Sequence, residues 1–183
     1  GEGASASVSS QLAGLGTKEE DHLRFRRNQA GLLDALLAAQ PEVHVDELFE
    51  RMRERLRHFQ GVKVAGQPEG FVGQLRDYQC EGLGWMEFLR EFGFGGCLAD
   101  DMGVGKTAQV LATLEIRRVQ GKGPSLVVAP KSLMFNWRAE AARFTPQLRV
   151  LEHTGLARDT ALIAEYDMVL TTYGTMLRDI TSL

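Results

Sequence analysis

The sequence predicts an α/β protein: a partial parallel sheet with flanking helices, preceded by an α-helical segment. Three observations predict it. From Leu75 onward, short apolar runs ("GGCLAD", "SLVVAP", "LRVLEH", "DMVLTT") alternate with longer helical segments ("KTAQVLATLEIRRVQ", "KSLMFNWRAEAARF"). Strand–helix alternation of this kind builds a parallel sheet covered on both faces. "SLVVAP" is apolar almost throughout, as a buried strand requires. Before Leu75 the pattern differs and reads as helix and linker.

Taken in order, residues 1–16 ("GEGASASVSSQLAGLG") are small and Ser/Gly/Ala-rich, a disordered lead. The chain starts at Gly rather than Met, as a processed or excised piece would. Thr17 with Glu20 has the form of a capping box opening a helix. That helix carries Leu23, Leu32, Leu33, Leu36 and Leu37 and stops before Pro41. A second helix, from about Asp46 to Phe59, aligns Leu48, Phe49, Met52 and Leu56 on one face. Its arginines 51, 53, 55 and 57 fall into two i,i+4 pairs, and Glu47 can pair with Arg51. They read either as a DNA-facing patch or as a solvated helix face. Residues 17–60 thus form a helical N-terminal segment, and 61–74 ("GVKVAGQPEGFVG") a linker without periodicity. Residues 75–183 hold a helix from about Arg76 to Phe92, the strand "GGCLAD", the glycine-rich turn, and then the alternating elements above.

The composition excludes several classes. Of 183 residues, 44% are hydrophobic and 25% charged, which places the chain among ordinary globular proteins. A net charge of −3 and a pI near 5.8 leave no global nucleic-acid footprint, so any such contact must be local. Cys80 and Cys97 have no CxxC spacing and read as free thiols in a reducing, cytoplasmic compartment. No apolar run approaches the roughly 20 residues that span a bilayer, and no membrane partner is expected. The four histidines are scattered, without metal-ligand spacing. Trp85, Phe88, Trp137 and Phe144 fall at apolar helical spacings and read as core rather than as base-stacking platforms.

The stretch that carries chemistry is "DDMGVGKTAQ", Asp100 to Gln109. Gly103 and Gly105 permit backbone shapes and close approaches that a side chain forbids. Successive N–H groups, Val104 included, can then point inward as an anion nest. A helix starting near Lys106 adds its positive end. Lys106 supplies a point charge for the β- and γ-phosphates, and the Thr107 hydroxyl a ligand for Mg²⁺. The general phosphate-loop pattern starts with Gly, where this chain has Asp100. A plain Gly-rich strand-to-helix turn is the alternative.

"LRDYQCEGLGWMEFL", "GGCLADDMGVGKTAQVLATLE", "VVAPKSLMFNWRAEAARF" and "DMVLTTYGTM" follow one another in that order. Together they resemble the front of the motor of the Swi/Snf-type (Snf-two) DNA-dependent ATPases, a branch of the superfamily-two helicases. The resemblance covers about residues 70–183. "RFRRNQAGLLDALLA" is similar, less specifically, to the segment before the motor in bacterial members. The family has Asp and then an acidic residue at the first two loop positions, which Asp100 and Asp101 match. Val104 stands where Leu is more usual.

The resemblance implies a RecA-like lobe over residues 75–183, with ATP and Mg²⁺ as cofactors and duplex DNA as partner. Gln79 matches the glutamine that reads adenine, with Arg76 assisting; a carboxamide offers the acceptor and donors that an adenine edge needs. The other reading of Gln79 is an exposed helix residue. Lys131 and Ser132 match a motif that touches the nucleic-acid backbone, and Thr171, Thr172 and Tyr173 a further one; N-caps and strand ends are the alternative.

Hydrolysis in that family needs an Asp–Glu pair after an apolar strand, and arginines from a second lobe. No such pair follows the loop here. The expectation is a front part of one motor lobe, with no catalytic residue in this chain and with inactivity in isolation. Its loop strand would lack in-sheet neighbours, which favours self-association. Two other readings stay open: a phosphate-loop small-molecule kinase or nucleotide switch, and a non-catalytic interaction module built on the N-terminal helices.

Overall fold

The computed structural model describes residues 17–19, 22–24, 47–155 and 158–180. It divides into two compact units. One contains the described residues up to Gly61 together with Phe88–Gly96; the other contains Val62–Glu87 and the described residues from Cys97 on.

In the first unit, β1 (Thr17–Glu19) pairs antiparallel with β2 (His22–Arg24) in the register Thr17↔Arg24 and Glu19↔His22. This corrects the helix expected from Thr17. A capping side chain contributes about 1 kcal/mol, which strand pairing can outweigh. Leu32 to Leu37 of the expected helix, like the 1–16 lead, lie outside the described residues. α1 spans Glu47–Arg57, close to its expected bounds. Arg51 pairs with Glu47 at 3.2 Å, as the spacing predicted. Arg53 approaches Glu50 at 3.9 Å, and Arg55 pairs with Glu91 at 2.8 Å while lying 5.0 Å from the Phe92 ring centroid. Arg51, Arg53 and Arg55 thus face carboxylates, which favours the solvated-face reading over a DNA patch. Phe59 packs on Phe88 and Phe92, with ring centroids 4.7 and 5.7 Å apart.

The second unit carries the sheet. α2 (Asp77–Phe92), which begins in it, is followed by α3 (Lys106–Val119), β3 (Ser125–Val128), a 3₁₀ turn (Lys131–Leu133), α4 (Met134–Phe144), β4 (Val150–His153), a second 3₁₀ turn (Thr160–Glu165), β5 (Met168–Thr171) and α5 (Tyr173–Asp179). Strand order is β3-β5-β4, all parallel, with Val128 and His153 both level with Thr171. The central β5 is buried at every position. Its Met168 and Leu170 pack with Leu111 and Leu114 of α3 and Met134 and Ala141 of α4 in one apolar core. Trp137 and Phe144 line that core, as expected.

A second cluster joins Leu83 of α2 to Ala108 and Ala112 of α3 across Phe71 and Leu75. Residues 61–74 contain no helix or strand, yet they are held in place. The Gln67 side chain donates to Gly73 O at 2.9 Å and accepts from Leu75 N–H at 2.7 Å, and Ala65 N–H reaches Cys80 O at 3.2 Å.

"GGCLAD" differs from its expected form. Residues 94–100 belong to no strand, and Cys97, Ala99 and Asp100 are exposed. Its apolar pattern suits a strand, but a strand needs a ladder partner. β3, β5 and β4 pair only with one another among the described residues.

Candidate functional site

The glycine turn joins this irregular segment to α3. Gly103 and Gly105 have φ of 87° and 78°, the left-handed side that an L side chain resists. Gly105 caps α3, and its carbonyl accepts from Gln109 N–H at 3.2 Å. The Lys106 ammonium folds back across the turn and donates to Asp100 O at 2.6 Å and to Asp101 O at 2.7 Å. An ammonium has three N–H donors, so these two bonds leave one for an incoming anion. Thr107 is half-buried in the first turn of α3. Met102, at the tip, is 97% exposed.

α2 holds this turn from the side. Gln79 Nε2 and the Tyr78 hydroxyl both donate to Val104 O, each at 3.0 Å. Gln79 Oε1 in turn accepts from Arg76 N–H at 2.9 Å. Gln79 is buried, not an exposed helix residue, and both ends of its carboxamide carry a bond inside the protein. An amide retains one further N–H and one further lone pair, so these bonds do not exhaust it. Arg76 takes part through its backbone; its side chain is exposed. A Cβ on Gly105 would meet Gln79 Nε2 at 2.6 Å, so the α2 side chain occupies the space that this glycine leaves.

Beside the turn lies an open cavity of about 600 Å³, lined by Tyr78, Glu81 and Trp85 of α2 and by Cys97, Asp100 and Asp101 before the glycines, among others. Trp85 therefore borders open space, in contrast to the core position that its spacing predicted. Cys80 and Cys97 are both free.

The remaining site residues gather at the carboxyl ends of the paired strands. The β3/β5 ladder continues with Ala129 N–H to Thr171 O at 2.9 Å, so the chain leaves both strands side by side. Lys131 and Ser132 lie exposed on the 3₁₀ turn after β3. After β5, the Thr172 hydroxyl accepts from Thr175 N–H as the cap of α5, and Tyr173 is 65% exposed. Thr171 is fully buried and donates its hydroxyl to His153 O at 2.8 Å. The structure thus brings Lys131, Ser132 and Tyr173 to one end of the sheet, and it employs Thr171 and Thr172 in internal bonds.

Two carboxylates that the sequence offers only as fallback catalytic candidates, Asp179 and Asp167, are engaged by arginines. Asp179 is bound by Arg158 at 2.6 and 2.9 Å and lies 3.0 Å from Nε2 of the buried His153. The Arg158 guanidinium holds the Asp179 carboxyl below the usual range. Asp167 is likewise held low, first by its hydrogen bond with the Arg149 guanidinium, at 2.8 and 3.0 Å. The signal for Tyr78 is its place beside Gln79 in "LRDYQ". Among the described residues, no three His, Cys, Asp or Glu side chains cluster as metal ligands, and no helix is long and apolar enough to cross a membrane.

Comparison with known proteins agrees with this architecture. The SNF2-related domain family matches residues 78–183. The chain is 47% identical over 111 residues to the putative ATP-dependent helicase/translocase YwqA of Bacillus subtilis, an alignment covering 57% of this chain and 12% of that protein. It is 39% identical over 132 residues to the ISWI chromatin-remodeling complex ATPase CHR17 of Arabidopsis thaliana, covering 67% of this chain and 12% of that one. The Sulfolobus solfataricus SWI2/SNF2 ATPase core in complex with dsDNA superposes with a TM-score of 0.60 at 38% identity, over 65% of this chain and 25% of that chain. The three-stranded parallel sheet with its helices therefore has the RecA-like fold of that core, and the chain spans only about an eighth of the length of these two relatives. On the family match and the ordered motifs around the glycine turn, the chain belongs to the SNF2-related domain family.

Proposed function

We propose that this chain supplies the nucleotide-binding face of a DNA-dependent ATPase that translocates on duplex DNA in the cytoplasm. The observation that carries the reading is the glycine turn at the amino end of α3. Two positive-φ glycines shape it, Lys106 closes it, and a cradle at Gly105 is kept clear for Gln79. These features fit a polyphosphate: backbone N–H groups and a helix amino terminus face an anion, with an ammonium beside it. Val104 and Gly105 contribute backbone, Lys106 charge, and Gln79 with Arg76 the adenine end. Thr107 is the protein ligand for Mg²⁺, which would arrive with the phosphates, since Mg²⁺ commonly binds through one or two side chains plus substrate oxygens. When bound, the ion neutralises developing phosphate charge.

The DNA reading rests on the juxtaposition of Lys131, Ser132 and Tyr173 at the carboxyl end of β3 and β5, with Thr172 as a cap behind them. Such groups contact phosphates and position a duplex without reading its sequence. Residues 1–183 alone are expected to bind nucleotide without turnover. Asp167 beside β5 and Asp179 at the end of α5 are already occupied by arginines.

The test is Lys106→Ala in the full-length protein. ATP hydrolysis stimulated by duplex DNA should fall to background, because the cation facing the β- and γ-phosphates is removed. Hydrolysis within threefold of the unaltered protein would refute the assignment. ATP turnover that ignores duplex DNA would favour the small-molecule kinase or switch reading.

A further inference from the structure

The Val104 carbonyl is the point where α2 grips the glycine turn, and two donors converge on it. One is Gln79 Nε2 and the other the Tyr78 hydroxyl, both at 3.0 Å. The two residues are not equivalent. Gln79 is buried and its amide is fixed from behind by Arg76 N–H. Tyr78 is 40% exposed and lines the open cavity, so its ring is not needed to fill the core. Its distinguishing atom is the hydroxyl.

Peptide planarity makes that hydroxyl consequential. The Val104 C=O and the Gly105 N–H belong to one trans peptide and point in opposite directions. Binding the carbonyl toward α2 therefore aims the Gly105 N–H away from α2, at the cap of α3, where an anion would meet it. Gly105 has φ of 78° and, lacking Cβ, little intrinsic preference to hold that peptide. A carbonyl has two lone pairs, so two donors can hold it against rotation better than one.

We propose that Tyr78 is a positioning residue for the phosphate-binding turn: its hydroxyl fixes the Val104–Gly105 peptide in the orientation that presents the Gly105 N–H to phosphate. The proposal builds on the nucleotide reading above and deepens it. Tyr78 acts through the backbone and touches neither base nor phosphate.

The experiment compares the unaltered full-length protein with Tyr78→Phe, which keeps the ring and removes the hydroxyl. Loss of one hydrogen bond should weaken affinity for ATP about three- to tenfold, and affinity for inorganic tripolyphosphate by the same factor. Loss of ATP affinity alone would mean that Tyr78 contacts the base or ribose, and would overturn the proposal. Unchanged affinity for both probes would overturn it too. Amide hydrogen exchange without nucleotide gives an independent readout. Exchange at Gly105 and Lys106 should quicken in Tyr78→Phe while the β5 amides keep their rates. Uniform acceleration would show a general loss of stability and refute positioning. If the unaltered protein binds neither probe, the nucleotide reading fails, whereas the exchange result still decides whether Tyr78 holds the turn.

Discussion

Gly105→Ala and Gly103→Ala separate two contributions to the shape of the turn. Both glycines have positive φ, 78° and 87°, so alanine at either position costs about 1–2 kcal/mol of backbone strain. Only at Gly105 does the new methyl group meet a neighbour, Gln79 Nε2 at 2.6 Å; at Gly103 nothing lies within 4 Å. Gln79 is held at both ends of its amide and can retreat only by giving up its bond to Val104 O, a net loss of about 0.5–1.5 kcal/mol. Gly105→Ala should therefore cost about 1.5–3.5 kcal/mol, against about 1–2 for Gly103→Ala. The turn is exposed from Asp100 to Gly103, so it can relax locally without unfolding the sheet. The cost then appears as a smaller fraction of molecules competent to bind. Titration of a fluorescent ATP analogue into the full-length protein should show affinity reduced about five- to thirtyfold in Gly103→Ala. In Gly105→Ala the reduction should be about ten- to a few-hundredfold. The same pair in a Gln79→Ala background is the sharper measurement, because the excess at Gly105 should then disappear. Equal losses for the two glycines, or an excess that survives Gln79→Ala, would refute the cradle.

Three further outcomes follow from the same geometry. Lys131→Ala combined with Ser132→Ala should weaken duplex binding alike for all sequences and lower the salt dependence by about one unit of slope for each phosphate no longer neutralised; an unchanged slope would return both residues to a purely structural role. Gly84→Ala should lower the urea midpoint of the full-length protein by the equivalent of about 1–3 kcal/mol, since its Cβ would run into the Lys63 carbonyl oxygen, which is backbone; Gly66→Ala, with nothing within 4 Å, is the control, and equal midpoints would refute the close approach. The Arg149 guanidinium lowers the Asp167 carboxyl, so its stabilisation is complete above the ordinary carboxyl value of about 3.9 and is lost as pH falls through the lowered folded value. Asp167→Asn should thus be less stable at neutral pH and lose less on acidification below about pH 4, and parallel stability curves for the two proteins would contradict the pairing.

The sheet and its helices were legible because long-range order there repeats local pattern. "SLVVAP", "LRVLEH" and "DMVLTT" became β3, β4 and β5 within a residue or two, and α1 to α4 followed their apolar spacing. The turn was legible for the same reason, since its glycines and Lys106 are close together in the chain. What escaped depends on partners distant in sequence. The bond of Tyr78 to Val104 spans 26 positions, that of the already assigned Gln79 to the same carbonyl spans 25, and that of Asp179 to His153 spans 26. "GGCLAD" failed as a strand because strand pattern states a capacity to pair and not the presence of a partner. Thr17 failed as a helix start because a cap signal reports one side chain, while β1 and β2 pair over three positions.

The acidic side chains of the sheet region mark how far the proposed chemistry extends in these residues. A general base needs a free oxygen and a proton affinity near the working pH. Both oxygens of Asp167 are engaged, Oδ2 by Arg149 N–H and Nε and Oδ1 by Nη2, and the carboxyl is held low. Asp179 is equally committed, with Arg158 on both oxygens and His153 on one. Their geometry serves packing instead. Asp167 ties the start of β5 to Arg149 at the start of β4, and Asp179 ties α5 to the end of β4. The first bond fixes the register of adjacent strands, and the second fixes the helix that follows Thr172 and Tyr173. Both carboxylates therefore bear on the proposed DNA edge through the positions of β5 and α5, while the proposed nucleotide face is the turn at Gly103–Thr107 together with Gln79. Binding and duplex contact can both be built from this division; activation of water requires a carboxylate that neither arginine holds.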